Sequence, residues 1–184
     1  MIKCVVGLGN PGSEYKETRH NIGFRVIDLL IKRSGAEWKK RWWQNYWLAH
    51  TEEPGKLICC KPATYMNLSG KAVYKVVKKF KLNADEILVV YDDVHLQTAK
   101  LRAKLCGSSG GHNGVQSIIN YLGTSDIPRL KIGIGEGYGN RIEHVLSNFE
   151  SEEEETVEKM TEKAVEAINL LTSVPWDKAV QQIN

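Results

Sequence analysis

An apolar run, Ile2 to Val6, ends in Gly7-Leu8-Gly9-Asn10-Pro11-Gly12, and His20 follows just before an apolar-periodic segment, Ile22 to Ile31. A buried first strand, a turn rich in Gly and Pro and then a helix open an α/β sheet, a fold that places its ligands at the carboxyl ends of the strands. The turn would present backbone N–H groups and the Asn10 amide at that edge. The loop after it would bring in the His20 imidazole.

The same hexapeptide satisfies the G-x-G-x-x-G pattern of dinucleotide-binding turns. That pattern needs a helix opening on its last glycine and an acid about 20 residues on, at the tip of the second strand. Here Ser13 to Thr18 delay the helix, and Asp28 falls inside it. A plain turn, whose glycines only supply unusual φ angles, is the remaining alternative for the stretch.

Beyond the first helix, Trp38 to Trp43 mixes three tryptophans with Lys39, Lys40 and Arg41. Such residues can stack on bases, but they more often close a core edge, which is the reading favoured here. Tyr46 to Ala49 and Lys56 to Cys60 flank Glu53-Pro54-Gly55 as a hairpin. Thr64 to Gly70 leads into a second helix over 71–80, so Asn67, between strand end and helix start, suits an N-cap or an Asx turn.

Ile87 to Tyr91 is a continuous apolar strand ending in Asp92-Asp93. Strand side chains alternate, so one aspartate can reach a histidine on a neighbouring loop while the other meets solvent or caps a turn. Gly107 to Gly114 precedes a helix with Val115, Ile118, Ile119 and Leu122 on one face, and a glycine-rich loop at a helix start favours anions. It also contains G-x-S-x-G centred on Ser109, the nucleophile-elbow pattern, for which Asp126 or Glu136 with His144 would have to serve as partners. The basic, alternating stretch Lys100 to Lys104 is unlike the buried strand that feeds such an elbow. Arg129 to Gly135 reads as another strand, running into a mobile loop with glycines at 133, 135, 137 and 139. A last helix is expected from Ser151, with a capping box involving Glu152 to Glu155 and an apolar stripe from Val157 to Leu171 that docks it.

A chain of 184 residues fits one domain, 1–184, with 147–184 an acidic C-terminal segment containing that docked amphipathic helix. The formal net charge of +3 is segregated: residues 1–146 carry +9 and residues 147–184 carry −6. A basic body suits a polyanionic partner, although a solubilising surface has the same charge. No run of 18 apolar residues and no leader peptide are found, which predicts a soluble, cytoplasmic protein without a membrane association. Cys4, Cys59, Cys60 and Cys106 show no CxxC spacing and read as reduced, buried side chains. The five histidines show no HxxxH pairing, so no metal is expected.

Taken together, several motifs carry a family resemblance. Gly7 to Gly12 with Tyr15 and Thr18-Arg19-His20-Asn21, Lys61-Pro62 with Thr64 to Asn67 and Ser69-Gly70, the Asp92-Asp93 strand, Gly107 to Gly114, and Arg129 to Gly135 stand in an order and spacing that resemble bacterial-type peptidyl-tRNA hydrolase. The match runs from about Lys3 to Gly135. The resemblance implies a single α/β domain with a twisted mixed β-sheet flanked by helices on both faces. It also implies a cofactor-free monomer that cleaves the ester between a peptide and the terminal ribose of tRNA, with peptidyl-tRNA as its partner. Carried over by motif, His20 is catalytic and Asp92 orients it. Asn10, Asn67 and Asn113 hold the substrate, with Tyr15, Met66, Gly110, Gly111 and His112 around them, and Lys104 and Lys131 clamp a tRNA phosphate.

Two features depart from that pattern: His95, Gln97, Thr98 and Ala99 replace a stretch that usually ends in Pro and Gly, and Cys106 stands where Gly is common. Alanine disfavours positive φ, so the loop is expected to follow a different path. Two other classes remain as alternatives, a relative that binds RNA without hydrolysis and a serine esterase built on Ser109.

Overall fold

The structure, a computed structural model, describes residues 1–41, 45–52, 56–137 and 139–184, with Arg41 described for its backbone alone. Trp42, Trp43 and the proposed turn Glu53-Pro54-Gly55 lie outside the described residues.

Among those residues, seven strands form one mixed sheet: β1 (Cys4–Gly7), β2 (Lys39–Arg41), β3 (Tyr46–His50), β4 (Ile58–Pro62), β5 (Ile87–Asp93), β6 (Leu101–Lys104) and β7 (Arg129–Gly133). Their order is β2-β3-β4-β1-β5-β7-β6. The four central strands run parallel, whereas β2, β3 and β6 join antiparallel at the flanks.

Helices α1 (Ile22–Arg33), α2 (Ser69–Phe80), α3 (Asn113–Leu122), α4 (Arg141–Leu146), α5 (Glu154–Ser173) and α6 (Trp176–Ile183) complete the fold. Central strands buried on both faces are mostly apolar, with charged residues near their ends, and their alternation sorts the core in two. Val5, Cys59, Leu88, Val90, Leu130 and Ile132 join α1, α5 and α6 in one cluster. Cys4, Val6, Cys60, Ile87, Val89 and Tyr91 join α2 and α3 in the other. No helix among the described residues is long and apolar enough to cross a membrane.

After β1 the chain leaves to one face of the sheet, and after β4 it leaves to the other. The crevice between those two loops, at the strands' carboxyl ends, is where such folds hold ligands. Two glycines let α1 sit tightly over it: a Cβ on Gly7 would lie 2.5 Å from the Gly23 carbonyl, and one on Gly23 would lie 2.4 Å from the Val90 carbonyl. Gly7 of the first turn therefore serves close packing, whereas Gly12 supplies a positive φ of +120. The helix opens at Ile22 and not at Gly12, so the dinucleotide pattern lacks its helix N-terminus.

Several expectations are corrected. The last helical stretch is capped one residue earlier than its sequence suggests, by a box between Glu150 and Glu153, and a further helix, α6, follows α5. The glycine-rich segment after β7 leads within a few residues into α4, whose N-cap Asn140 accepts from the Ile142 N–H. Cys106 is exposed, while the other three cysteines are buried, and burial pushes the thiol of Cys59 up to about 12 and that of Cys60 well above its usual range. Ala99 adopts φ +67 despite its Cβ. Backbone hydrogen bonds Ala99 N–H to Gly133 O, Lys100 N–H to Gln97 O and Gly135 N–H to Leu96 O hold this loop in the path a glycine would take.

The described tryptophans close a core edge. Lys61, buried on β4, pairs with Asp28 at 2.6 Å and places its ammonium 4.7 Å and 4.5 Å from the ring centroids of Trp38 and Trp47.

Candidate active site

At the carboxyl edge, β5 ends in Asp92, almost fully buried. His20, in a 3₁₀ turn directly before α1, sets its Nδ1 2.8 Å from Asp92 Oδ1. His112, the N-cap of α3, sets its Nε2 3.0 Å from the same oxygen. The protons can be assigned. His112 Nδ1 accepts from the Val115 N–H, so its Nε2 carries the hydrogen that goes to Asp92. A carboxylate only accepts, so His20 also donates from Nδ1 and keeps the Nε2 lone pair for a reaction partner. Burial alone would push the Asp92 carboxyl up, but the two imidazoles and their hydrogen bonds outweigh it and hold it well below the usual range.

Alternation separates the two aspartates as the strand pattern requires. Asp93 turns away, accepts from the His95 N–H at 2.9 Å and pairs with Lys131 at 2.6 Å. It caps a turn but is buried, not solvated.

Of the three asparagines expected at the site, Asn113 lines the cleft at this centre, while Asn10 and Asn67 lie on the loops after β1 and β4. Asn10 is buried and fixed: Asn21 bonds both its N–H and its carbonyl, and its Oδ1 accepts from the Met66 N–H at 2.8 Å across the crevice. Its Nδ2 has no protein partner among the described residues. Asn67 and Asn113 are exposed, and neither amide has a partner among the described residues. Asn67 is not the N-cap of α2, a position taken by Leu68. Met66 is buried below it, and Tyr15 packs edge-on against Tyr65.

The cleft itself measures about 90 Å³ and is lined by His20, Asp92, Gly110, Gly111, His112 and Asn113 among others. That is room for about three waters. An ester and a hydrolytic water fit, and any large flanking group must lie outside.

A family model for peptidyl-tRNA hydrolase matches residues 4–184. The chain belongs to the peptidyl-tRNA hydrolase family. It is 44% identical to peptidyl-tRNA hydrolase of Aquifex aeolicus, with 100% of this chain and 96% of that one covered, and 40% identical to that of Geobacillus kaustophilus, with 100% of both covered. The crystal structure of peptidyl-tRNA hydrolase from Acinetobacter baumannii superposes with a TM-score of 0.94 at 32% identity, covering 100% of this chain and 94% of that one. Membership of the peptidyl-tRNA hydrolase family thus extends past Gly135, through the acidic segment.

Other parts of the peptidyl-tRNA hydrolase fold hold the cleft in shape. Ser109 gives its hydroxyl to Gln116 Oε1 at 2.8 Å, and His144 bonds the carbonyls of Ile134 and Gly135. The elements of a Ser–His pair are therefore apart and otherwise engaged. Arg129, fully buried, donates to the carbonyls of Gly107, Ser108 and Ser125 and so anchors the glycine-rich loop. Arg141 of α4 reaches the Gly110 carbonyl at 3.1 Å. The sequence reading assigned no role to Asn21, Arg129 or Arg141; Asn21 and Arg129 stood within the quoted motifs, and Arg141 did not.

Of the two lysines expected to clamp a phosphate, Lys104 is exposed at the end of β6 and Lys131 is engaged by Asp93. His20, Asp92 and His112 also form a group of potential metal ligands, which HxxxH spacing could not have revealed. In the hydrogen-bonded arrangement described, the nitrogens of both imidazoles that face Asp92 are engaged by its carboxylate. A larger hollow of about 680 Å³ opens beside Asn10, lined by Phe24, Asp28, Trp47, Lys61 and Glu158. Neither His20 nor Asp92 borders it, so size does not locate the chemistry here.

Proposed function

We propose that the protein hydrolyses the ester between a peptide and the terminal ribose of tRNA, releasing the peptide acid and free tRNA. The observation that carries this reading is the His20–Asp92–His112 arrangement, which leaves one imidazole lone pair at a cleft fringed by free amides.

His20 Nε2 takes a proton from water as the oxygen attacks the ester carbonyl, and Asp92 stabilises the imidazolium that forms. General-base catalysis of this kind is worth about 10²–10⁴-fold. Asn113, Asn67 or a backbone N–H of the glycine-rich loop donates to the oxyanion, for about 10²–10³-fold per donor. Collapse of the tetrahedral species breaks the bond to the ribose oxygen, which takes its proton from His20. Ester hydrolysis moves only protons and water, so no cofactor is required. Asn10 Nδ2 and the two exposed amides suit a peptide main chain, because an amide matches C=O and N–H without reading side chains. Met66 and Tyr15 form the wall beside them, and Lys104 with Lys131 meets a tRNA phosphate. All of these residues come from one chain, and we extend the reading to a single-domain monomer working in the cytoplasm, where its substrate arises.

The test is release of peptide from an N-acylated aminoacyl-tRNA, with the unblocked aminoacyl-tRNA as control. Wild-type turnover of the blocked substrate should fall about 10²–10⁴-fold in His20→Ala. Undiminished turnover would return attention to Ser109, and no turnover by folded wild type would favour a protein that only binds RNA.

A further inference from the structure

The fold sorts its cations by sheet face. On the α1 face, Arg19, Arg25 and Arg33 are neutralised by Glu153, Glu154 and Glu162 of the acidic segment. Among the described residues, the helices of the opposite face, α2 and α3, have no such partner. Residues 62–84, which include α2, hold five lysines and no acid, and residues 94–125, which include α3, hold no acid either.

On α2, Lys71, Lys75 and Lys78 recur at helical spacing, with Tyr74 among them. None of the three has a carboxylate partner among the described residues. Like charges one turn apart destabilise a helix, so nothing within the fold offsets this arrangement. Tyr74 is 38% exposed and Tyr121 of α3 is 44% exposed. Their rings lie 6.4 Å apart, and the Lys78 ammonium sits 5.4 Å from the Tyr74 ring. Exposed aromatic rings among unpaired cations are the surface a single-stranded nucleic acid takes, with bases on the rings and phosphates on the lysines.

Position supplies the direction. The helix begins two residues after Asn67 and runs about 18 Å away from it, far enough for several unpaired nucleotides. The cleft of about 90 Å³ leaves the nucleotides outside.

We propose that Lys71, Lys75 and Lys78 of α2, with Tyr74 and Tyr121, form a track for the unpaired 3′ end of the tRNA. The track rests on the peptidyl-tRNA reading above. It is separate from the phosphate clamp assigned to Lys104 and Lys131.

Its test compares three blocked aminoacyl esters, of whole tRNA, of a CCA trinucleotide and of adenosine alone. The last is too short to reach α2 and normalises for the chemistry. In the combined Lys71→Ala, Lys75→Ala, Lys78→Ala variant, KM for both tRNA and trinucleotide esters should rise about 5- to 20-fold relative to adenosine ester. Three lost phosphate contacts should also lower the salt slope of binding by about 2. Tyr74→Ala should raise KM for the same two substrates without changing that slope.

A raised KM for whole tRNA alone would put duplex on α2 and overturn the track. Unchanged KM for both would make the face a merely solvated one and overturn it as well. Binding of deacylated tRNA, read by fluorescence anisotropy, needs no turnover. Weakened binding in the lysine variant of a protein without hydrolytic activity would support the track and defeat only the hydrolytic reading.

Discussion

One oxygen of Asp92 accepts from two imidazoles, and that geometry makes the residue more than an orienting acid. It holds His20 in the tautomer whose Nε2 is free, while the Val115 N–H fixes His112 from the other side. Asp92→Asn keeps the volume but removes the charge opposite the developing imidazolium, and it offers an N–H where two N–H groups already point. We expect kcat/KM for the blocked aminoacyl-tRNA to fall about 10²–10⁴-fold, measured by peptide release. Ala99 gives a prediction of stability at the same scale. Its left-handed φ of +67 costs roughly 1–2 kcal/mol for a residue with a Cβ, part of which a glycine's greater unfolded-state freedom would cancel. Ala99→Gly should therefore stabilise the protein by about 0.5–1 kcal/mol in denaturant unfolding. The motif spacing showed that this position departs from the family, but whether the backbone would move or the alanine accept strain was settled by hydrogen bonds to β7.

Elements meet at the site through backbone carbonyls more than through side-chain pairs. Arg129, at the start of β7, holds three carbonyls around the glycine-rich loop, and burial pushes the phenol of its neighbour Tyr91 up to about 12. Arg129→Met would leave those carbonyls unpaired in a buried setting. We expect a loss of about 2–4 kcal/mol in denaturant unfolding, with kcat falling more than KM rises as Gly110 to Asn113 lose their position. The acidic segment reaches the same centre from the other side. Thr18 pairs with Asn148, the Arg19 N–H donates to the Ser147 carbonyl, and Glu153 grips the Arg19 guanidinium. An amphipathic stripe shows that such a helix docks. It does not show that the segment before it braces the loop carrying His20.

At the scale of the whole molecule, three carboxylates, on two different elements, are held in their charged form. Asp93 is buried but held below its ordinary 3.8 by Lys131 and the His95 N–H, and Glu153 is held below 4.5 chiefly by its hydrogen bond to Arg19. With Asp92 also lowered, the unfolded chain binds protons in this range that the folded chain does not. Stability must then rise with pH: the contribution is complete above about pH 5 and is lost as pH falls through the folded values. Unfolding titrations from pH 6 downward should show this slope, and Asp92→Asn should flatten it. At this scale the acidic segment also neutralises Arg25 and Arg33 of α1 and Arg19 in the turn before it. Three cations of the first 146 residues are thus offset by that segment, and the positive charge left over includes the lysines of α2.

The sequence by itself determined the alternation of strands and helices, the edge at which Asn10, Asn67 and Asp92 meet, and the opposite facing of Asp92 and Asp93. Each follows from a periodicity of 2 or 3.6 or from turn chemistry, which act over a few residues. Tertiary structure alone decided that His112 shares Asp92 with His20, that Asn21 locks Asn10, that Arg129 anchors the glycine-rich loop and that Lys131 is paired. Those contacts join residues 11 to 92 positions apart, and no local pattern carries that information. Close packing also fixes which partner each buried polar group must take once solvent is excluded.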